Sequence, residues 1–394
     1  MLSNRAANIT PSITLGISAK VKELKNKGVA IIDLSIGEPD FLTPDKVKEE
    51  GKAAIDKNLT KYDAASGNIV LRQAICEKLK KENALDYQAD QIVVSSGAKH
   101  AITNALLATI NPGDEVLIPV PYWVSYPEMV SLCGGVPVLV QTKKEAGFKV
   151  TLEDITPHLS DRTKMIILTN PSNPTGNVFS KKELQSLCGA LVEKNILILA
   201  DEIYERVIYD EPFTSIPSLS EEIYDKTILI NGLSKSASMT GWRLGYSATN
   251  KKLAKAMGSI QSHLTSHPST ITQAAAIVAL RACDDEINHM IHTYKERRDY
   301  IENFFKQWGK LDIIPPKGAF YVFIDISPLR AKLKDESLSL KVCEDMIEKY
   351  KVAFIPGIGF GQDDFIRLSY AAAMEDIKEG LVRFKTYVDQ VLED

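Results

Sequence analysis

The chain has 394 residues, with 47 Lys and Arg against 51 Asp and Glu and a formal net charge of −4. That balance excludes a general nucleic-acid binder, which needs a basic face to displace counterions, but it leaves room for a local basic pocket that holds a small anion. A hydrophobic share of 44% is ordinary for a globular protein, and the length exceeds what one simple core organises, so two domains are predicted. The five cysteines, at 76, 133, 188, 283 and 343, are odd in number and nowhere at CxxC spacing. A disulfide framework or structural zinc site is therefore not expected, and a reducing, cytoplasmic setting is. The first twenty residues lack the apolar core of a secretory signal, and no apolar run approaches the 18 residues of a membrane span.

In chain order, the segment up to Thr43 reads as loop-rich, with Pro11, Gly37 and Pro39, and is expected to pack on the C-terminal part. Seven apolar or β-branched runs follow, at 91–95, 115–119, 136–141, 164–169, 196–200, 227–231 and 245–248. Each is apolar on both faces, the mark of a strand covered by helices. Helical patterns lie between them, at 100–110 and 181–194. The second opens on Ser180 with Glu183 three residues later, a capping box. Such alternation predicts an α/β domain with a mainly parallel seven-stranded sheet. After about residue 290 the pattern changes to a long helix at 286–308, a strand at 319–324, a helix at 338–351, strands at 352–355 and 365–369, and a last helix from Met374. This predicts a smaller α+β domain, giving a large domain over 45–290 and a small one over 1–44 with 291–394.

Four stretches, each directly after a predicted strand, carry the chemistry. In Asn231-Gly-Leu-Ser-Lys-Ser-Ala-Ser-Met-Thr-Gly-Trp-Arg-Leu-Gly-Tyr246, Lys235 sits among small polar residues, eight before Arg243. A desolvated lysine can lose its charge and act as a nucleophilic amine, while arginine holds a dianion in its planar fork. Asp201, in Leu199-Ala-Asp-Glu-Ile-Tyr204, ends a hydrocarbon strand, where α/β sites lie; a helix N-cap is its plain structural alternative. Thr169-Asn-Pro-Ser-Asn-Pro-Thr-Gly176 makes a sharp turn, with Asn173-Pro174 a candidate cis bond. Ser95-Ser-Gly-Ala-Lys-His100 leaves backbone N–H groups free at a helix start, a phosphate-type site. Pro121-Tyr-Trp123 adds an aromatic that can stack on a planar ring or pack in the core. The six histidines show no metal spacing, and no metal is expected.

The ordered set Asn-Pro-Thr-Gly, Asp-Glu-x-Tyr, Ser-Lys, Gly-Trp-Arg-x-Gly and Arg-Leu-Ser covers nearly the whole chain. With Ile36-Gly-Glu-Pro-Asp-Phe41 and Lys61-Tyr-Asp-Ala-Ala-Ser-Gly67, it resembles the class I aminotransferases of the aspartate aminotransferase type, in their bacterial-like subgroup. The resemblance implies fold type I and the cofactor pyridoxal 5′-phosphate. Lys235 would carry the cofactor covalently and Asp201 would pair with its ring nitrogen. Tyr204 and Asn173 would bond the ring hydroxyl, with Trp123 and Ile203 against the two ring faces. The Gly97-Ala98-Lys99 turn, Ser234 and Arg243 would hold the phosphate, and Tyr62 would reach the phosphate in a second subunit, implying a homodimer. Gly232 stands where some relatives place a phosphate-binding serine. Arg367 would clamp the substrate α-carboxylate, beside the backbone of Gly37 and the faces of Trp123 and Asn173, and the segment 13–37 would close over it. Lys99, with Ser12 and Thr14, would recognise the distal carboxylate of aspartate or glutamate. Relatives that take prephenate carry a basic residue before the proline, where this chain has Thr10. The implied reaction is ping-pong transfer of the amino group of L-aspartate to 2-oxoglutarate. Aromatic, prephenate, alanine or kynurenine aminotransferase, a carbon–sulfur lyase and a non-catalytic cofactor-binding module stay open as alternatives.

Overall fold

Where consecutive residues of a strand are all apolar, its period of two sends them alternately to opposite faces, and both faces must then be covered. The computed structural model describes residues 2–7 and 9–393. Seven strands, β2 (Ile92–Ser95), β3 (Glu115–Val120), β4 (Val136–Gln141), β5 (Thr163–Thr169), β6 (Leu197–Asp201), β7 (Thr227–Gly232) and β8 (Gly245–Ala248), form one sheet in the order β2-β8-β7-β6-β5-β3-β4. All neighbours pair parallel except β8, which runs against both β2 and β7. The predicted mainly parallel seven-stranded sheet is therefore what the chain forms.

The alternation is visible in the cores. Ile166, Leu168, Ile198, Ala200 and Leu229 enter the cluster on one face, and Met165, Ile167, Leu199, Ile228 and Ile230 that on the other. Each such leucine, isoleucine or methionine, fully buried, contributes about 1.5–3 kcal/mol. Helix α3 (Lys181–Glu193) buries Leu184, Leu187, Cys188 and Leu191 against the first face. It opens with the predicted capping box: the Glu183 N–H donates to Ser180 Oγ at 3.3 Å and the Ser180 N–H to Glu183 Oε2 at 2.7 Å. On the second face lies α2 (Ala98–Thr109). Strand β4 departs from expectation. It is the sheet edge, and only Val140 in it is fully buried, because no strand flanks its outer side.

A second sheet, in the order β12-β13-β10-β9, joins β12 (Ile355–Pro356), β13 (Phe365–Ser369), β10 (Tyr321–Asp325) and β9 (Ile313–Ile314). The long helix α4 (Asp284–Trp308) and the last helix α6 (Met374–Glu393) pack on it through Tyr294, Ile301, Phe305, Leu381 and Phe384. Three predictions here need correction. The run 352–355 is not one strand: β11 (Val352–Ala353) pairs parallel with β1 (Ile32–Asp33), whereas β12 belongs to the other sheet, with the buried Phe354 between them. The strand expected from Ala319 begins at Tyr321, since Ala319 has φ +57° and cannot be extended. The helix expected over 338–351 is α-helical only in α5 (Leu338–Asp345) and continues as a π-turn to Tyr350.

The loop-rich N-terminal segment is also corrected. It contains the helix α1 (Ile13–Asn26), with Ser12 as N-cap and Ile13, Ile17, Val21 and Leu24 at helical spacing. Val21, with Ile17 and Leu24 beside it, packs on Ile347 and Ala353, and Leu34 enters the core of the second sheet. Among the described residues, no helix is long and apolar enough to cross a membrane.

Candidate active site

Parallel strands deliver their C-terminal ends to one edge of a sheet, and α/β sites form there. Asp201 is the last residue of β6, Lys235 follows β7, Asn173 follows β5, Trp123 follows β3, and Gly97 to Lys99 follow β2. Because β8 is reversed, Arg243, just before it, reaches the same edge. A cleft of about 520 Å³ opens here, roofed by Gly37, Glu38 and Thr14 from the N-terminal segment and by Tyr321 and Arg367 from the second sheet.

Lys235 lies at its centre, its Nζ donating to the Gly37 carbonyl at 2.5 Å. Burial pushes the amine down to about 8, with Arg367 and Arg243 acting the same way and Glu38 and Asp201 opposing. Half of this amine is therefore unprotonated near pH 8, so in the cofactor-free protein Lys235 should react with an acylating or arylating reagent with a midpoint near that pH. A midpoint above 10, typical of a solvated lysine, would remove its claim to be a primed nucleophile. The sign for stability follows. The unfolded amine binds its proton up to about pH 10.4, so the unfolded state holds more protons between the two values, and this group's contribution to stability rises with pH across that window.

Asp201 is 4% exposed and burial raises its carboxyl. Opposing that, it accepts from the Tyr126 hydroxyl at 2.6 Å and the Ile203 N–H at 3.3 Å. The Tyr126 hydroxyl also meets Thr169 Oγ1 at 2.7 Å. A carboxyl so held at the cleft wall suits a cationic partner there. Behind it, Glu202 and Glu205 of the same turn point away from the cleft. Glu202 accepts from Ser215 Oγ at 2.6 Å and the Ile216 N–H at 2.8 Å, and Glu205 pairs with the buried Lys78 and with Asn83.

The anion end is built from backbone and arginine. Helix α2 has Gly97 as its N-cap, with no side-chain cap and no acid in its first turn, leaving N–H groups for a ligand. Gly97 has φ +91°, and a Cβ there would stand 2.5 Å from Arg243 Nη2. Arg243 donates to the Thr240 carbonyl at 2.7 Å and, among the described residues, has no carboxylate partner. Ser234 lines the same corner. A Cβ on Gly232 would meet the Gly245 Cα at 2.9 Å and the Leu244 carbonyl at 3.0 Å, so a serine hydroxyl has no place there without moving β7 from β8. A deep acid, an amine, an uncapped helix start and an unpaired arginine together fit a phosphorylated pyridine aldehyde.

Arg367, 3% exposed, is the middle residue of β13 rather than a strand end. It donates to Asn173 Oδ1 at 3.0 Å and the Ser35 carbonyl at 2.9 Å, while its Nε has no partner. No acid neutralises it among the described residues, so it is a buried cation awaiting an anion. Tyr204 meets the Tyr321 hydroxyl at 2.8 Å. Trp123 and Ile203 both line the cleft, and the Lys99 ammonium lies 4.8 Å from the Trp123 ring centre while donating to Ser125 Oγ at 3.1 Å. Burial, then Arg243, pushes the Lys99 amine down. Asn170-Pro171 and Asn173-Pro174 are both cis.

Three expected residues lie off the cleft wall: Gly97, whose neighbours Ala98 and Lys99 do line it, Ser12 and Tyr62. Ser12 caps α1, its hydroxyl 2.8 Å from that of Thr14, which does line the cleft. Tyr62 is 92% exposed, edge-on to His267, and outside this chain's own cleft. Sequence reading missed Tyr126, Tyr321, Ser35, Glu38 and Thr240. The Glu38 carboxylate accepts from Thr240 Oγ1 at 2.6 Å across the mouth, and only its place beside Gly37 hinted at this.

The profile of the family "Aminotransferase class I and II" matches residues 29–384. An aspartate aminotransferase of Bacillus sp. (strain YM-2) is 42% identical, the match covering 98% of this chain and 99% of that one. An aspartate/prephenate aminotransferase of Cereibacter sphaeroides is 41% identical, covering 98% of each. The structure of aspartate aminotransferase from Thermus thermophilus with maleate superposes with a TM-score of 0.93 at 37% identity, over 98% of this chain and 99% of that one. The chain belongs to the class I and II aminotransferase family.

Proposed function

We propose that this protein is a pyridoxal 5′-phosphate-dependent aspartate aminotransferase, moving the amino group of L-aspartate to 2-oxoglutarate and yielding oxaloacetate and L-glutamate. The observation that carries the reading is the convergence on one cleft of the depressed Lys235 amine, the buried Asp201 and two arginines that have no acidic partner among the described residues. Asp201 would hold the ring nitrogen. Tyr204 and Asn173 would face the ring hydroxyl, and Trp123 and Ile203 the ring faces. Ser234, Arg243 and the backbone of Gly97, Ala98 and Lys99 would hold the phosphate. When bound, the cofactor supplies an electron sink for negative charge at the substrate α-carbon.

This chain's residues do the rest. Arg367 grips the α-carboxylate bidentately and fixes the α-carbon beside Lys235. The Lys235 amine, neutral for a large share of the time near pH 8, takes the α-proton and returns it. The roof of Thr14, Gly37 and Glu38 limits water. The enzyme carries the amino group between two half-reactions, so its kinetics are ping-pong.

Lys99 supplies the charge for the distal carboxylate, with Thr14 beside it and Ser12 orienting Thr14. In Lys99→Ala, kcat/KM for aspartate should fall at least about tenfold relative to that for alanine, the scale of one charge-assisted contact. An unchanged ratio would remove the basis for naming aspartate. Assays with phenylalanine and prephenate decide the second reading, which the name of the Cereibacter relative favours. Against it, Thr10 supplies no cation and its N–H faces the Glu128 carboxylate at 3.3 Å.

A homodimer belongs to the same reading, with Tyr62 completing the phosphate site of the second copy. Its support is the exposed side chain of Tyr62, which stands edge-on to His267 outside this chain's own cleft. The division into a large domain (45–290) and a small one (1–44 with 291–394) rests on the separate cores of the two sheets. A cytoplasmic setting rests on the cysteine pattern, odd in number and nowhere at CxxC spacing.

A further inference from the structure

Tyr321 stands where the carboxylate-binding and ring-binding halves of the cleft meet, and none of the roles above uses it. It is 1% exposed and lines the cleft. In the antiparallel pair of β10 and β13, Tyr321 lies opposite Ser369, so Arg367 is its diagonal neighbour on the same face. The guanidinium carbon sits 4.3 Å from the Tyr321 ring centre and 5.2 Å from that of Phe360. Arg367 is thus a buried cation whose hydrogen bonds hold only two nitrogens and whose guanidinium carbon lies against two aromatic rings. The other end of Tyr321 makes a second contact, its hydroxyl 2.8 Å from that of Tyr204.

We propose that Tyr321 is a positioning residue with two separable duties: its ring holds the Arg367 guanidinium flat for a substrate carboxylate, and its hydroxyl orients the Tyr204 phenol. A desolvated cation over an aromatic face is stabilised without the directional cost of a further hydrogen bond, and it keeps both carboxylate-facing N–H edges free. The hydroxyl pair then ties the Arg367 side of the cleft to the Tyr204 side through one rigid ring.

The inference rests on the aminotransferase reading, and its test separates the two. Wild-type protein loaded with pyridoxal phosphate must first show a visible band that aspartate shifts; without that, the functional reading fails. Given the band, the dissociation constant of maleate, a dicarboxylate without an amino group, is measured by titration. Y321L should weaken maleate at least about tenfold, while Y321F, which keeps the ring, should stay within about threefold. Equal binding by wild type and Y321L overturns the ring's duty. For the hydroxyl, a double-mutant cycle reads the pH midpoint of the visible band. Y321F should shift it in the wild-type background and leave it fixed in a Y204F background. No shift, or the same shift in both, overturns the hydroxyl's duty. Should Y321L not fold, Y321W replaces it: maleate binding by Y321W within about threefold of wild type supports the ring's duty, and a loss matching that of Arg367→Ala overturns it.

Discussion

Lys235→Ala is expected to reduce transamination by at least about ten thousandfold and to abolish the visible band formed with pyridoxal phosphate. On the proposed function, general base catalysis alone contributes about 10²–10⁴, and loss of the proposed covalent anchor adds to it. The structure also predicts what the change leaves intact. The amine is desolvated in the folded protein and held down to about 8, so its removal deletes an unfavourable burial rather than a stabilising ion pair. Melting temperature near neutral pH should therefore not fall with activity. A small amine added to the variant should restore part of the turnover by entering the vacated space. Substantial turnover without added amine would refute the lysine's role.

The second large effect is expected at Arg367. Truncating it to alanine removes a buried cation of the cleft that has no acidic partner among the described residues and leaves the Asn173 and Ser35 oxygens without their donor. Breaking a buried charge-assisted contact costs about 2–5 kcal/mol, roughly thirty- to several-thousandfold in kcat/KM for aspartate and 2-oxoglutarate. The two unsatisfied acceptors add about 1–3 kcal/mol each to the folding cost, so melting temperature should fall as well. Arg367→Lys should recover little, because a point charge cannot reproduce the fork between Asn173, Ser35 and the substrate. Unchanged KM and kcat/KM for dicarboxylates would sink the assignment.

Much of this was legible because the relevant signals are local. Ser180 and Glu183 declare a helix start on their own, and seven apolar runs declare a covered sheet, as found. Asp201 ends a strand, Lys235 and Asn173 follow strands and Arg243 precedes one, so the topology alone gathers them at one edge. What escaped depends on distant partners. The helix α1 was hidden by Pro11 and Gly16, although Ile13, Ile17, Val21 and Leu24 carry its spacing; it is stabilised by Ile347 and Ala353, far along the chain. The run 352–355 is uniformly apolar, and nothing local says that its two halves join different sheets. Tyr126 and Tyr321 look like ordinary core aromatics until their hydroxyls are seen against Asp201 and Tyr204.

The pairing of β1 with β11 has a temporal consequence. Ile32 faces Val352, and Ser35, whose carbonyl receives Arg367, lies in the turn just beyond β1. On a ribosome adding about 5–20 residues per second, the early segment waits roughly a quarter of a minute to a minute for its partner to emerge. The roof over Lys235 is thus assembled last, after the seven-stranded sheet has been fully synthesised. A nascent chain stalled before residue 352 would carry Lys235, Gly97 and Arg243 but lack both Arg367 and the strand on which β1 docks.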